Sequence, residues 1–253
     1  MKPNVLILRA PGTNCDMETA YAFELAGATT QRVHINRLLE NPALADEFQI
    51  LCLPGGFSYG DDIAAGRVLA NQVRHHLSDA MHRFRDAGKL ILGICNGFQI
   101  LIKSGILLTD DEQGAPATLA WNRSGVYTDR WVNLTVTGDK CVFLRNVKSM
   151  YLPIAHAEGK FIGRNDAVVD QLEHDGRLVL KYRHDENPNG AMRDVAGICD
   201  ETGRVFGLMP HPERHIDRTQ HPRWTRDNRV YTDDPATAGD GIAVFKNAIE
   251  YFA

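Results

Sequence analysis

The chain has 253 residues, of which 43% are hydrophobic, and 28 basic against 32 acidic residues give it a formal net charge of −4. This length and apolar content suffice for one sizeable core, and the nearly balanced charge argues against nucleic acid as the main partner. No apolar run approaches the ~20 residues of a membrane-spanning helix, and the N-terminus lacks the apolar segment of a secretory signal. The five cysteines have no C-x-x-C spacing, which indicates free thiols in a reducing cytoplasm rather than disulfides or a zinc site.

Strand and helix patterns alternate in the first half of the chain. Continuous apolar runs predict buried parallel strands at 5–8, 48–53 and 89–94, and a weaker pattern predicts a further strand at 32–35. Amphipathic spacing predicts helices that end at glycines, at 16–26 and 63–87. Repeated βα units with short links predict an α/β fold with a doubly wound, mostly parallel sheet, whose ligands bind at the carboxyl ends of the strands.

The middle of the chain, about 117–182, changes character because strand patterns follow one another there without long helices. They predict an antiparallel β elaboration of the α/β core, at 132–136, 151–154 and 178–182. A turn between 197–199 and 204–208 predicts a hairpin. We therefore expect a single domain over 1–253, with a polar loop at 214–241 and a C-terminal helix at 242–252.

The segment Leu90–Leu101 carries the strongest chemical signal. An apolar run ends in the pattern Gly-x-Cys-x-Gly at Gly93, Cys95 and Gly97, and a helix-like run follows at once. This is the pattern of a nucleophile elbow with cysteine in place of serine. The helix N-terminus favours the thiolate, which is the attacking form. A buried cysteine in an ordinary βα turn is the alternative.

A second segment, Gly207–Glu213, supplies a base and a carboxylate. His211 stands between two prolines, which restrict its backbone to extended conformations. In an extended chain positions i and i+2 point the same way, so Glu213 is placed to hold the imidazole. This rigid context separates His211 from the other nine of the ten histidines. We predict a catalytic triad of Cys95, His211 and Glu213.

Backbone N–H groups are the predicted donors for an oxyanion. Asn96, which follows the nucleophile, supplies one, and the turn after strand 48–53 supplies another from Gly56 or Phe57. Gly55 and Gly56 let the backbone approach a substrate closely, although an ordinary tight turn would also explain them.

These motifs resemble the class I, triad-type glutamine amidotransferases, and among them the glutaminase subunits of phosphoribosylformylglycinamidine synthase. The matching segments run in family order, at 10–16, 53–61, 92–101, 153–159, 187–190, 195–199 and 207–214. The resemblance implies the same triad and places Gln99 at the glutamine-contacting position, where a buried amide that anchors the helix is the alternative. It implies that His156 and Glu158 shape the glutamine pocket or the partner surface. The other four cysteines are interpreted as inert.

The resemblance also implies the reaction. Glutamine is hydrolysed to glutamate and ammonia, and the ammonia passes to a synthetase subunit that converts formylglycinamide ribonucleotide to the amidine, with a small bridging subunit as a further partner. Neither Gly-x-Gly-x-x-Gly nor Gly-x₄-Gly-Lys-[Ser/Thr] is present, so ATP and Mg²⁺ are expected on the synthetase and no cofactor or metal on this chain. The alternatives are a glutaminase that feeds a different synthetase and a non-catalytic regulatory subunit.

Overall fold

Five parallel strands form one half of the main sheet and hold the most buried part of the core. In spatial order they are β2 (Thr29–His34), β1 (Asn4–Arg9), β3 (Ile50–Leu53), β4 (Leu90–Ile94) and β11 (Val205–Leu208). Every residue of β3, β4 and β11 is buried. Strands covered on both faces read as continuous apolar runs, which is why the sequence predicted them. The computed structural model that shows this arrangement describes residues 2–226 and 239–253.

Antiparallel strands continue the same sheet beyond β11. They follow in the order β10 (Val195–Cys199), β9 (Leu180–Tyr182), β6 (Thr128–Val136) and β7 (Ser149–His156), which makes a nine-stranded mixed sheet. The hairpin of β10 and β11 confirms the predicted turn. A separate two-stranded sheet pairs β5 (Ala117–Ala120) with β8 (Lys160–Gly163). The fold class is thus the predicted α/β sheet with an antiparallel extension.

Seven α-helices occur in the described residues. They are α1 (Asp16–Leu25), α2 (Ile35–Glu40), α3 (Arg67–Gln72), α4 (Ser78–Asp86), α5 (Asn96–Lys103), α6 (Asp166–His174) and α7 (Ile242–Glu250). The sequence analysis did not predict α2 and α6. The single helix predicted at 63–87 is wrong in extent: α3 begins at Arg67, and a π-helical turn over Val73–Leu77 separates it from α4. The N–H groups of Ala65 and Gly66 are instead held by carboxylates at the candidate site.

The predicted polar loop at 214–241 lies partly outside the described residues, since 227–238 are not described. The two described ends of this loop pack against each other. The N–H of Gly241 donates to the carbonyl of His215 at 2.8 Å, and a Cβ on Gly239 would lie 2.2 Å from that same carbonyl oxygen. In the part of the chain that the structure describes, no helix has both the length and the apolar character needed to cross a membrane.

Candidate active site

Cys95 lies in the tight turn between β4 and α5, with a backbone φ of +51° that side-chain-bearing residues rarely adopt. The flanking glycines make this turn possible. A Cβ on Gly93 would lie 2.7 Å from the carbonyl oxygen of Gly97, and a Cβ on Gly97 would lie 1.9 Å from that of Leu53. The N–H of Cys95 donates to the carbonyl of Leu208 at 2.7 Å. Backbone strain of this kind costs about 1–3 kcal/mol and concentrates at functional sites.

His211 and Glu213 form a buried hydrogen-bonded couple beside this turn. The Nδ1 atom of His211 lies 2.6 Å from Oε1 of Glu213, and the two side chains are 2% and 0% exposed. Because a carboxylate only accepts, Nδ1 carries the proton and Nε2 is the atom available to a thiol. Burial alone would lower the pKa of His211, but the negative charges of Glu213 and of a Cys95 thiolate outweigh it and raise that pKa well above its ordinary value.

A second thiol, that of Cys15, also lies beside the imidazole. Its sulfur and the ligating atoms of His211 and Glu213 lie within 4.8 Å of one another, and Nη2 of Arg214 donates to it at 3.1 Å. Burial nevertheless raises the pKa of the Cys15 thiol. Cys15 therefore remains a thiol that packs the base, and Cys95, in the elbow, is the stronger nucleophile candidate.

The structure separates the two predicted sources of the second oxyanion donor. The N–H of Phe57 donates to the carbonyl of Gly12 at 3.0 Å and is therefore not available to bind an oxyanion. Within the described residues the N–H of Gly56 has no backbone partner, and that of Asn96 is at the start of α5, where no helical carbonyl precedes it. The geometry thus favours the N–H groups of Gly56 and Asn96 as oxyanion donors and argues against that of Phe57.

A cavity of about 280 Å³ opens next to Cys95, close to the lower end of the range for small-molecule sites. Its lining includes five predicted site residues besides Cys95, namely Gly56, Phe57, Gln99, His156 and Glu158. Gly55 is placed differently. A Cβ on it would lie 2.8 Å from Cε1 of His211, so this glycine makes room for the imidazole and does not line the cavity. A larger depression of about 520 Å³ includes Arg85 and Thr202, which stand outside the elements that hold the triad.

The amide of Gln99 is fully engaged by protein groups. Its Oε1 accepts from Nδ2 of Asn96 at 3.0 Å, and its Nε2 donates to the carbonyl of Glu158 at 2.5 Å. The Glu158 carboxylate accepts from the N–H of Ala65 at 3.2 Å and lies 3.5 Å from Nζ of Lys103. These bonds fix the cavity wall, so Gln99 combines the predicted place at the pocket with the anchoring role that was its alternative.

Asn96 ties the loop after β3 to the start of α5. Its Oδ1 accepts from the N–H of Ser58 at 3.2 Å, and its Nδ2 donates to Oδ1 of Asp61 at 3.1 Å. That same carboxylate oxygen accepts from the N–H of Gly66 at 3.1 Å. These contacts, with that of Ala65, fix Ala65 and Gly66 beside the cavity and delay the start of α3. Burial raises the pKa of the Asp61 carboxyl.

The comparisons with known proteins identify the family of the chain. The sequence model of the CobB/CobQ-like glutamine amidotransferase domain matches residues 2–252. The chain is 48% identical to the phosphoribosylformylglycinamidine synthase subunit PurQ of Dehalococcoides mccartyi, over 99% of this chain and 98% of that protein. The chain belongs to the PurQ family of glutamine amidotransferases. Identity to the subunit of the same name from Methanococcus maripaludis is 39%, over 99% of this chain and 97% of that protein.

Solved structures place this PurQ-family chain in the same fold. A chain of PurLQS from Thermotoga maritima is 32% identical, with a TM-score of 0.77 and full coverage of both chains. A glutamine amidotransferase from the same organism is 14% identical, with a TM-score of 0.56 and coverage of 100% and 98%, and shares the fold.

Three residues near the triad were missed or undervalued by sequence reasoning on this PurQ-family chain. Asp61 belongs to a matched segment without an assigned role, Cys15 was interpreted as inert, and Asn122 was not singled out at all. The Nδ2 atom of Asn122 donates to the carbonyl of His156 at 2.8 Å, and its Oδ1 atom lies 3.0 Å from Nδ1 of the His156 ring. Spacing in the sequence carries no signal for such contacts, because each joins segments far apart in the chain.

Proposed function

We propose that this chain is the glutaminase subunit of phosphoribosylformylglycinamidine synthase in purine biosynthesis. It hydrolyses glutamine to glutamate and ammonia and delivers the ammonia to an ATP-dependent synthetase subunit. One observation carries the chemistry: a strained cysteine at a helix N-terminus and the histidine of a buried His–Glu couple line the same small pocket. The family supplies the assignment of the product, since relatives of nearly the same length are named as subunits of that synthase.

The first half of the reaction forms a thioester. The Cys95 thiolate attacks the side-chain carbonyl carbon of glutamine, and the oxygen becomes an oxyanion held by the N–H groups of Gly56 and Asn96. Each well-placed donor contributes about 3–4 kcal/mol to the transition state. The His211 imidazolium, held by Glu213, then protonates the nitrogen, and the C–N bond breaks to release ammonia and leave the γ-glutamyl thioester.

The second half of the reaction consumes water. Neutral His211 takes a proton from a water molecule, whose oxygen attacks the thioester carbonyl. The C–S bond breaks, glutamate leaves, and the thiolate–imidazolium pair is restored. The raised pKa of His211 suits the first half, because it favours the imidazolium that the first half requires.

The cavity mouth has an exposed apolar rim that suits a protein partner. Phe57 and Trp121 line the cavity and are 44% and 58% exposed, and Tyr127, 49% exposed, lies 6.4 Å from Phe57 between ring centroids. Exposed aromatic clusters of this kind are enriched at protein interfaces. The proposal is that the synthetase covers this rim, with a small third subunit in the assembly, and that ATP and Mg²⁺ bind to the synthetase. Five free, buried cysteines support a cytoplasmic location.

The test is a reconstitution with the synthetase and the small subunit. The wild-type complex should form formylglycinamidine ribonucleotide with either glutamine or ammonia as nitrogen source. Cys95→Ser should lose the glutamine-dependent rate and keep most of the ammonia-dependent rate. If Cys95→Ser retained the glutamine-dependent rate, or if the wild-type complex used only ammonia, the proposed function would be wrong.

The two alternatives make different predictions for the same reagents. A glutaminase that serves another synthetase would not copurify with the formylglycinamidine synthetase and would not stimulate it. A regulatory subunit would bind the synthetase but would release no glutamate from glutamine. The presence of Cys95 in the elbow together with the hydrogen-bonded couple of His211 and Glu213 argues against the regulatory alternative.

A further inference from the structure

A thiol, an imidazole and a carboxylate meet beside the nucleophile elbow. Sγ of Cys15, a ring nitrogen of His211 and a carboxylate oxygen of Glu213 lie within 4.8 Å of one another, and all three residues are buried. The proposed reaction uses the imidazole and the carboxylate as a couple, but it gives the Cys15 thiol no step. The three side chains therefore form a set of ligating atoms whose combination the glutaminase chemistry does not require.

Backbone contacts hold the Cys15 thiol next to the imidazole. Cys15 is the N-cap residue of α1, and its N–H donates to the carbonyl of Gly55 at 3.3 Å. A Cβ on Gly55 would lie 3.1 Å from this sulfur and 2.8 Å from Cε1 of His211, so the missing side chain makes room for both groups. His211 is fixed in turn, because its N–H donates to the carbonyl of Pro153 at 2.9 Å.

One carboxylate oxygen of this set lacks a donor. Oε1 of Glu213 lies 2.6 Å from Nδ1 of His211, but within the described residues Oε2 of Glu213 is buried and makes no hydrogen bond. A buried carboxylate oxygen without a partner is destabilising. Buried charges are ordinarily paired or coordinate a metal ion, so this oxygen is an independent sign that the set accepts a cation.

The charges of the set suit a divalent ion. The Cys15 thiolate and the Glu213 carboxylate balance two positive charges, and the imidazole binds as a neutral ring. A coordinated thiol is deprotonated outright, so each bound ion displaces the thiol proton of Cys15 into solvent. Arg214 donates to the Cys15 sulfur at 3.1 Å, and its own charge is paired with Glu18 at 2.9 Å. The guanidinium can therefore remain a donor to this sulfur when the sulfur is a thiolate.

A small pocket gives an ion access to these ligands. Its volume is about 20 Å³, enough for one water-sized particle, and its lining includes Asn14, Cys15, Cys95, His211 and Arg214. Thiolate and imidazole are ligands that Zn²⁺ prefers, and Zn²⁺ also accepts carboxylate oxygen. Mg²⁺ takes oxygen ligands and keeps much of its water shell, so it does not fit a set of this composition.

We propose that Cys15, His211 and Glu213 bind a thiophilic divalent cation such as Zn²⁺, which inhibits the enzyme reversibly by occupying its base. The bound ion takes a ring nitrogen and the carboxylate out of their couple, so His211 can neither protonate the leaving nitrogen nor activate water. The ion is an inhibitor and not a cofactor. The inhibition rests on the proposed glutaminase function, whereas the binding of the ion does not.

The test measures glutamate release by the reconstituted complex, each protein being compared with its own rate without metal. Zn²⁺ should inhibit until a chelator is added, and Mg²⁺ at the same concentration should not inhibit. Cys15→Ser should raise the half-inhibiting Zn²⁺ concentration by at least about 10–100-fold, since even the hydrogen-bond partners of metal ligands contribute that much to affinity. Cys141→Ser, at another buried cysteine, is the matched control and should be as sensitive as the wild type.

Equal inhibition of the wild type and Cys15→Ser would overturn the proposal, because the ion would then bind without Cys15, for example at the Cys95 thiolate. If Cys15→Ser does not fold, the position of the ion decides. In crystals of the Cys95→Ser chain soaked with Zn²⁺, anomalous diffraction should place the ion about 2.3 Å from the Cys15 sulfur. An ion elsewhere, or none, would refute the site. A wild-type complex that binds Zn²⁺ at Cys15 but releases no glutamate without metal would instead contradict the proposed function.

Discussion

Replacing Glu213 by glutamine tests how the buried couple drives catalysis. The substitution keeps size and an acceptor oxygen for the Nδ1–H of His211, which lies 2.6 Å from the carboxylate, but it removes the negative charge. Since both side chains are almost fully buried, solvent screens that charge little. The variant should therefore retain the orientation of the ring and lose the stabilisation of the imidazolium.

The expected loss follows from the kind of hydrogen bond that is changed. A hydrogen bond to a charged group contributes about 1.5–3 kcal/mol, against about 1 kcal/mol for a neutral pair. Because the glutamine side chain keeps the neutral bond, only the difference of about 0.5–2 kcal/mol is lost from the transition state, and kcat/KM for glutamine falls about 2- to 30-fold. His211→Ala removes the base itself and should fall further, by roughly two more orders of magnitude, as in triads where loss of the base exceeds loss of the residue that orients it.

The pH profile gives the second readout, and its sign is determined by the raised pKa of His211. Glu213 helps to raise that pKa, so the wild-type imidazolium persists to a higher pH than that of an ordinary histidine. Without the carboxylate the imidazolium is lost at lower pH, and the alkaline limb of kcat/KM should move to lower pH. The assay is initial-rate glutamate release by the complex across pH. Loss of activity equal to that of His211→Ala, or an unmoved alkaline limb, would refute this account of Glu213.

Three further changes test the site and its supports. A glutamine-mimicking alkylator should add once, at Cys95, as mapped by mass spectrometry; Cys15→Ala should leave that labelling intact, and labelling at Cys15 instead would contradict the assignment of the nucleophile. Gly97→Ala should lower the melting temperature of the purified chain sharply, because its Cβ would lie 1.9 Å from a β3 carbonyl oxygen, and unchanged melting would show that the elbow can relax. Lys103→Met strips the cation from Glu158 in a pair whose side chains are each 10% exposed, so the free energy of unfolding in urea should fall by about 3–5 kcal/mol, and a loss under about 1 kcal/mol would mean that water reaches the pair.

The parallel strands and the elbow could be predicted because local sequence carries their physical cause. Strands buried on both faces have to be apolar throughout, and a strand-to-helix turn at Cys95 needs glycines on both sides, as the contacts of Gly93 and Gly97 show. The couple of His211 and Glu213 is also local, since a single residue, Pro212, separates its members in the chain. These features need no knowledge of how distant segments meet.

The features that were missed depend on contacts between segments that are far apart in the sequence. The helix predicted from residue 63 begins only at Arg67, because Asp61 and Glu158 bind the N–H groups of Gly66 and Ala65. The sequence could not distinguish Phe57 from Gly56 as the oxyanion donor, because the N–H of Phe57 donates to the carbonyl of Gly12, a distant residue, at 3.0 Å. Amphipathic spacing and turn composition describe what a segment favours alone, and tertiary hydrogen bonds override that preference.

The site combines two kinds of support that differ in their stability. The nucleophile and the base follow directly from β4 and β11, which pair in parallel and are buried along their whole length, so the reacting groups inherit the rigidity of the core. The opposite wall consists of residues 57–66 and of the loop 157–159 after β7, and it is held by single polar contacts such as that between Glu158 and Lys103. That wall also carries the exposed aromatic rim of Phe57. A partner that covers the rim therefore contacts the adjustable wall and not the triad, so it can change the fit of glutamine while leaving the geometry of Cys95 intact.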